Sequence, residues 1–283
     1  MATKREPTAR QLRLATELRR LRDAAGLSAR EAAASLGVNS VQISQIELAT
    51  SGVSEQRLRR MAAIYGCADE GLIGGLVAMA TDRSRGWWEE DRGQVDTEFL
   101  DLAELEHHAK YRQDVEILHI PGLLQTEAYA HALFSYVNPT ISENVVERWV
   151  QHRMKRRTII ERADPTPYIA IIHEAALRIR VSDRTAARGQ LSRILGFSEA
   201  PHITVRVIPF DLDGFGGAGS AMSYAGGAVP QLDTVVRDAP FRAGFINDED
   251  QLHQFRTLFH KLEDASLSPH RSRDFIHTLT KEL

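Results

Sequence analysis

The first eighty residues carry a short repeating pattern of apolar and polar positions, broken by glycine and serine. In the first stretch apolar residues recur at steps of three and four, and these are Leu12, Ala15, Leu18, Leu21 and Ala25. This spacing predicts a helix with one buried face, which ends at Gly26. Similar patterns after Ser28, Asn39, Ser54 and Asp69 predict four more short helices.

The second and third predicted helices are separated by a tight turn. Ser28 and Glu31 have the spacing of a capping box, which starts the second helix. The turn at Gly37 leads to a third helix over residues 39–48, whose first residue caps it and whose Gln42 takes the reciprocal position. Two short helices joined in this way predict a helix-turn-helix, whose second helix enters the major groove of DNA.

The third helix divides its side chains between a buried pair and an outward face. Ile43 and Ile46 have the spacing of the buried pair. Helical geometry then turns four side chains outward, namely Ser40, Val41, Ser44 and Gln45. Gln45 matches the hydrogen-bonding pattern of adenine, and Val41 fits a thymine methyl group. The alternative is that these residues merely face water.

Several of these residues together resemble a known family of regulators. The stretches that carry the resemblance are Gly26-Leu27-Ser28, Leu36-Gly37-Val38 and Ile43-Ser44-Gln45-Ile46-Glu47. They resemble the Xre family, the Cro- and phage-repressor-like regulators, over residues 11–66. The resemblance implies a five-helix bundle and dimeric binding to pseudo-palindromic operator DNA. It also implies an ion pair between Arg22 and Glu47 that braces the recognition helix.

Two positions depart from the Xre pattern. Leu48-Ala49-Thr50 stands where the family often has a basic residue or asparagine followed by glycine, and Ala29 stands where it often has glutamine. Both changes remove expected phosphate contacts, so one module is expected to bind weakly and a homodimer becomes more necessary. The side chains expected at the DNA are Ser28, Asn39, Ser40, Val41, Ser44, Gln45 and Thr50.

The charges of the chain are unevenly divided. Residues 1–66 hold 11 Lys and Arg against 6 Asp and Glu, the remainder holds 24 against 32, and the whole chain carries −3. A basic head on an acidic body indicates that only the head meets a polyanion such as double-stranded DNA. A small helical domain can also be basic by chance, so the charge split alone does not decide between the two.

Beyond the first eighty residues the pattern changes to alternating strands and helices, which predicts an all-α domain over residues 1–80 and a larger α+β domain over 81–283. Strand-like runs occupy residues 115–120, 168–172, 203–209, 221–224 and 234–237, with 245–246 weaker. Helical patterns occupy residues 97–110, 126–137, 143–162, 184–195, 249–263 and 269–283. Ser268 and Pro269 suit the start of the last helix.

The larger domain also resembles a known domain. The stretches concerned are residues 120–130, residues 173–177, Gln190-Leu191 followed by residues 203–209, and Leu267-Ser268-Pro269. They are similar to the domain carried by many actinobacterial Xre regulators of antitoxin type. This resemblance implies a small partner protein encoded nearby and supplies no established catalytic residues.

Motifs for enzyme chemistry are incomplete. The glycine-rich stretch at residues 214–219 fits G-x-G-x-x-G, but a strand-like run follows where the dinucleotide fingerprint needs a helix. His173-Glu174 begins like a zinc-protease motif, but Leu177 replaces the second ligand, and the adjacent His107 and His108 diverge on a helix. We therefore expect no catalytic residues, no metal and no cofactor.

Two further features have a plain interpretation and a functional alternative. Basic residues crowd the helix predicted over 148–162, where an ion-paired, solvated face is expected and a partner-binding or auxiliary DNA surface is the alternative. The single cysteine, Cys67, excludes an internal disulfide and is expected to be a packed side chain instead of a redox sensor.

The sequence contains no apolar run of membrane-spanning length, and residues 1–10 are polar, so we expect a cytoplasmic protein without a membrane partner. The prediction is a regulator of transcription that binds operator DNA as a homodimer and binds a small partner protein through its larger domain. An alternative gives that domain a small-molecule ligand, held in an enclosed apolar pocket near the glycine-rich loop. A third possibility, an enzyme recruited to DNA, lacks an identifiable constellation of catalytic groups.

Overall fold

The computed structural model describes residues 6–217, 221–237 and 244–283. The last two residues of the glycine-rich stretch, Ala218 and Gly219, lie outside the described residues. Residues 1–5 of the polar N-terminus also lie outside them. The chain divides into two compact units, of which the first comprises Met1–Arg85 with Ala228–Leu232 and the second comprises Gly86–Gly227 with Asp233–Leu283.

The first unit contains the five helices that the apolar spacing predicts. They are α1 (Ala9–Ala24), α2 (Ala29–Leu36), α3 (Ser40–Glu47), α4 (Glu55–Ile64) and α5 (Glu70–Thr81). Ser28 and Glu31 form the expected capping box at the start of α2, and Gly37 ends that helix at a φ of 68°. These two ends fix the turn between α2 and α3.

The core of the first unit is formed by the residues that face one another across its helices. Leu18, Ile43, Leu58, Met61 and Leu76 are fully buried there, and Cys67 is partly buried against the same cluster. Burying such side chains stabilises the unit by about 1.5–3 kcal/mol each. The helices of this unit are therefore held by one shared apolar core.

Helix α1 departs from the sequence prediction on its buried face. Leu12 is 46% exposed and Ala25 is exposed, although both were expected in the buried stripe. The buried face instead includes Arg13, Glu17 and Arg22. Arg13 and Glu17 form an ion pair of 3.1 Å, and a paired charge can be buried where an unpaired one cannot.

The second unit is built on a six-stranded sheet. Its strands are β1 (Tyr111–Glu116), β2 (Tyr168–His173), β3 (Ile203–Ile208), β4 (Met222–Gly226), β5 (Thr234–Arg237) and β6 (Gly244–Ile246). Their order across the sheet is β3-β2-β1-β4-β5-β6. The first three strands are parallel to one another, and β4, β5 and β6 each run antiparallel to the neighbour that precedes them in this order.

Helices cover both faces of this sheet. They are α6 (Thr97–His108), α7 (Glu127–Val137), α8 (Glu143–Arg156), α9 (Thr158–Glu161), α10 (Glu174–Arg178), α11 (Arg184–Phe197), α12 (Glu249–Ala265) and α13 (Pro269–Glu282). Alternate residues of β2 enter different cores: Ala170 packs with residues of α11 and α13, whereas Ile171 packs with residues of α12. The predicted α+β class of this part of the chain is confirmed.

Three boundaries differ from the sequence prediction. The first strand was expected at residues 115–120, but it spans Tyr111–Glu116, because its charged residues Arg112 and Asp114 are buried instead of exposed. The helix expected over residues 143–162 is interrupted at Arg157. The short helix α10 and the 3-10 turns at Trp87–Asp91, Gly122–Leu124 and Pro230–Leu232 were not predicted. In the described part of the chain, no helix is both long enough and apolar enough to cross a membrane.

A buried charge network joins α6, α8 and β1. Arg156 donates two hydrogen bonds to Glu106, of 2.8 and 2.7 Å, and Arg112 lies 3.3 Å from the same carboxylate. Arg112 also donates to Asp114, which accepts a further hydrogen bond from Tyr168. Burial alone would raise the pKa of Glu106, but the guanidinium groups of Arg156, Arg112 and Arg153 outweigh burial and hold that pKa below its usual value.

We expect Glu106→Gln to lower the free energy of unfolding of the second unit by about 3–5 kcal/mol, because it leaves Arg156 and Arg112 buried without their carboxylate. Denaturant unfolding measures this change. The matched control is Glu161→Gln, which removes an exposed ion pair with Arg193 and should cost under about 1 kcal/mol.

The same substitution has a pH signature. Since the folded-state pKa of Glu106 is depressed, its contribution is present above the ordinary pKa of 4.5 and is lost as pH falls through the lower folded-state value. The gap in stability between wild type and Glu106→Gln should therefore narrow below pH 4.5. A gap that stays constant into strong acid would contradict the assignment.

Candidate nucleic-acid interface

Helix α3 begins with a local cap at Asn39. The side-chain oxygen of Asn39 accepts a hydrogen bond of 2.9 Å from the backbone N–H of Val41. The reciprocal bond expected from Gln42 is not formed among the described residues, and Gln42 is exposed. The cap is therefore a single side-chain bond to the second helical residue instead of a capping box.

The outward face of α3 consists of uncharged side chains. Ile43 and Ile46 are buried, whereas Val41 is 56% exposed and Gln45 is exposed. Ser40 and Ser44 are half-buried, and the Ser44 hydroxyl donates to the Ser40 carbonyl at 3.2 Å. This face can offer hydrogen bonds through Gln45 and an apolar contact through Val41, which are the two kinds of contact that read base edges.

An ion pair holds the end of α3 against α1. Arg22 Nε and Nη2 donate to the two oxygens of Glu47 at 2.7 and 2.8 Å, and Arg22 Nη1 donates to the Leu27 carbonyl at 2.6 Å. Both side chains are more than nine-tenths buried. The hydrogen bond to Glu47 raises the pKa of Arg22, and burial raises the pKa of the neighbouring Tyr65 to about 12. Helix α3 is thus fixed by a two-point charged contact.

The turn after α3 contains Ala49 in a left-handed conformation. Its φ is 54°, the one positive φ of a non-glycine residue in the described part of the chain. The N–H groups of Thr50 and Ser51 both donate to the Gln45 carbonyl, and the Thr50 hydroxyl donates there as well, at 3.1 Å. Thr50 is exposed, but its hydroxyl is already used to close the helix end.

Ser28 is similarly engaged at the start of α2. Its hydroxyl donates to Glu31 at 2.6 Å, and the same carboxylate accepts from the Ser28 N–H at 2.8 Å. These bonds lower the pKa of Glu31. Ser28 therefore keeps α2 in place, and a direct contact with a phosphate would require its hydroxyl to change partner.

Basic side chains of the first unit differ in whether a carboxylate pairs with them. Arg19, Arg20 and Arg59 form ion pairs with nearby carboxylates. Arg30 on α2 and Arg60 on α4 are exposed and form no ion pair with any described residue. These two remain available for the phosphate contacts that fix register on a duplex.

The glutamine-containing stretch after β1 has a structural role. The buried Gln125 donates to the Ile120 carbonyl at 2.7 Å and accepts from Arg153 at 2.8 Å. Gln190 of α11 donates to the Leu124 carbonyl and accepts from the Thr126 N–H. The two buried amides hold the backbone of this turn, so the stretch needs no ligand to explain it.

His173 and Glu174 also have a structural role. The His173 ring caps α10 by accepting from the Ala175 N–H at 3.1 Å, and burial lowers the pKa of His173. Glu174 accepts from the Phe210 N–H at 2.8 Å and pairs with Arg178. In the described part of the chain no group of three or more His, Cys, Asp or Glu side chains is placed to hold a metal.

The basic helix α8 is less solvated than the sequence suggested. Arg156 is buried against Glu106, and Arg153 bonds to Gln125. Lys155 contacts Asp91 at 3.2 Å. The expected solvated face is not found at this end of the helix, because Arg156 and Arg153 turn inward, whereas the expected ion pairing is present at Arg156 and Lys155.

The second unit has an open groove of about 670 Å³ between α7, α8 and the 3-10 turn at Trp87–Asp91. It is lined mainly by polar side chains, including Asp91, Glu127, Asn144 and Glu147. The small-molecule alternative predicted an enclosed apolar pocket near the glycine-rich loop. This groove lies elsewhere and has a polar lining, so it is not the predicted pocket. After that loop the chain enters strand β4, as the sequence predicted.

Comparisons with known proteins match both parts of the chain. A family described as "Helix-turn-helix domain" matches residues 13–73. A family described as "Domain of unknown function (DUF5753)" matches residues 99–278, which is more than half of the chain. The chain therefore belongs to the DUF5753 family and carries a helix-turn-helix domain, the mark of a DNA-binding regulator. Neither the curated proteins nor the solved structures contain a match.

The conformation of Ala49 generates a stability prediction. Ala49→Gly should raise the free energy of unfolding of the first unit by about 0.5–1 kcal/mol, because glycine adopts a positive φ without the Cβ penalty. Ala34→Gly is the matched control: it lies exposed within α2, where the same change should cost about 0.5–1 kcal/mol. Thermal unfolding of both variants should show shifts of opposite sign, and two shifts of the same sign would contradict the strain at Ala49.

Proposed function

We propose that this protein is a sequence-specific regulator of transcription that binds double-stranded operator DNA through α3. The observation that carries the proposal is the uncharged outward face of α3, held at its far end by the buried Arg22–Glu47 pair. A rigid helix with hydrogen-bonding and apolar side chains suits direct reading of base edges in the major groove. The resemblance to the Xre family supports the same function.

Gln45 is the residue on which base reading is proposed to depend. Gln45→Ala removes no buried packing, so the free energy of unfolding should hardly change. Affinity for the operator should fall by about 1–3 kcal/mol, while affinity for a scrambled duplex stays nearly constant. Gln56→Ala, the same change at an exposed position on α4, is the matched control and should alter neither.

Glu47→Ala is expected to give the opposite pattern when unfolding and binding to the two duplexes are measured. It leaves Arg22 buried without its carboxylate, so it should lower the melting temperature and weaken binding to operator and scrambled DNA alike. If Gln45→Ala instead unfolds early, or loses both duplexes equally, Gln45 is a structural or backbone-contacting residue and the proposed reading of bases fails.

We further propose that the protein binds DNA as a homodimer. Support comes from Leu48-Ala49-Thr50 and Ala29, which lack phosphate contacts expected of the Xre family, and from the Xre resemblance itself, in which a dimer spans two half-sites. Operator half-sites would then lie about one helical turn, or a multiple of it, apart. Light scattering with a defined operator tests this, and a monomer that binds a single half-site tightly at physiological salt would refute it.

The second unit is proposed to receive a signal by binding a partner and not by catalysis. The first candidate for that partner is a small protein encoded nearby. Both the regulator and this partner are proposed to be cytoplasmic. The resemblance to antitoxin-type actinobacterial regulators supports this candidate. The groove beside α7 and α8 supports a second candidate that differs from the apolar pocket expected from the sequence, namely a polar small molecule, because its volume lies in the range of ligand sites. Native mass spectrometry of protein purified from its own cells separates the two by the mass of what remains bound.

A further inference from the structure

The first unit is completed by a segment distant in sequence, Ala228–Leu232, which we call the inserted segment. It contains a 3-10 turn at Pro230–Leu232, and Leu232 packs against the apolar core of the five helices. Gly75 of α5 makes room for it. A Cβ at Gly75 would lie 2.7 Å from the Leu232 side chain and 3.2 Å from that of Val229.

The inserted segment also satisfies a buried charge on α1. Arg13 is 5% exposed, and its Nη2 donates to the Gln231 carbonyl. The Gln231 side chain donates to Asp69, at the start of α5, at 3.4 Å. A buried guanidinium that loses an acceptor carries a desolvation cost, so α1 depends on this segment for more than apolar packing.

Helix α1 connects the inserted segment to the recognition helix. Arg13 near its start bonds to the segment, and Arg22 near its end holds Glu47 of α3. The two arginines are separated by about 13 Å along one continuous helix, at 1.5 Å per residue. A shift of the segment therefore acts on the same rigid element that positions α3.

The two ends of the inserted segment are fixed within the second unit. Asp233, at its exit, accepts hydrogen bonds from the Gly227 N–H at 2.8 Å and from the Tyr224 hydroxyl at 2.6 Å. The Tyr111 hydroxyl donates to the same carboxylate at 3.3 Å, and Asp233 is 2% exposed. These bonds join Asp233 to β4 and β1, and Asp233 directly precedes Thr234, the first residue of β5.

We propose that the inserted segment is the regulatory link of this protein: a change at β4 or β5 alters DNA affinity through Arg13, α1 and the Arg22–Glu47 pair. This inference rests on the proposed function for its DNA readout. The quantity proposed is a coupling free energy between the sheet and the recognition helix. This coupling requires that the inserted segment keep its contacts with α1 and α5.

The seating of the segment is tested in the full chain by Gly75→Gln against Gly74→Gln. Both changes replace glycine by a better helix former on α5, but nothing lies within 4 Å of a Cβ at Gly74. Gly74→Gln should raise the melting temperature of the first unit by a few degrees. Gly75→Gln should lower it and increase hydrogen exchange in α1. Equal effects of the two variants would overturn the proposal.

The coupling between the sheet and α1 is tested by comparing two substitutions. Tyr224→Phe removes one hydrogen bond to Asp233. Its matched control, Tyr136→Phe, removes a hydroxyl from a side chain that is 84% exposed. Tyr224→Phe should increase exchange in α1 and change operator affinity at least about fivefold, whereas Tyr136→Phe changes neither. Unaltered α1 exchange and affinity in Tyr224→Phe would overturn the link. If wild type binds no duplex at all, the proposed function fails, and the exchange measurement still decides whether the segment is coupled to α1.

Discussion

The buried ion pair between Arg22 and Glu47 is the contact on which the geometry of the first unit depends. Helix α3 has eight residues, and its buried residues are Ile43 and Ile46, which is little apolar contact with which to fix a helix that must be presented to a ligand. A two-point charged contact adds direction to that packing, because a guanidinium and a carboxylate are bidentate in one relative orientation. In the second unit Arg156 holds Glu106 by the same two-point contact, whereas Asp233 is held by tyrosine hydroxyls and a backbone N–H.

Much of the fold was predictable because helix ends carry local chemistry. Ser28 with Glu31, Gly37, and Ser268 with Pro269 each mark an end by a backbone hydrogen bond or a required φ, and the structure has ends at these places. The outward direction of Val41 and Gln45 followed from the buried pair Ile43 and Ile46. Such features depend on neighbours within four residues, which a single sequence displays.

What escaped prediction depends on partners far away in sequence. Arg13, Glu17, Arg112 and Asp114 look like surface residues, yet each is buried because a distant or neighbouring group satisfies its charge. Strand β1 was misplaced for this reason, and so was the buried face of α1. The inserted segment escaped as well, because nothing in residues 228–232 indicates which helices they will meet. Apolar spacing predicts which faces pack together, but it does not indicate which charged residues pair across the fold.

The discontinuity of the first unit in sequence has a consequence for how the protein is made. Residues up to Arg85 leave the ribosome long before Ala228–Leu232 does. At about 5–20 residues per second the delay is roughly seven to thirty seconds. During that interval Arg13 lacks the Gln231 carbonyl, and the core lacks Leu232. A nascent or prematurely terminated chain therefore holds an incomplete first unit, in which α1 and α5 lack their contacts with the inserted segment.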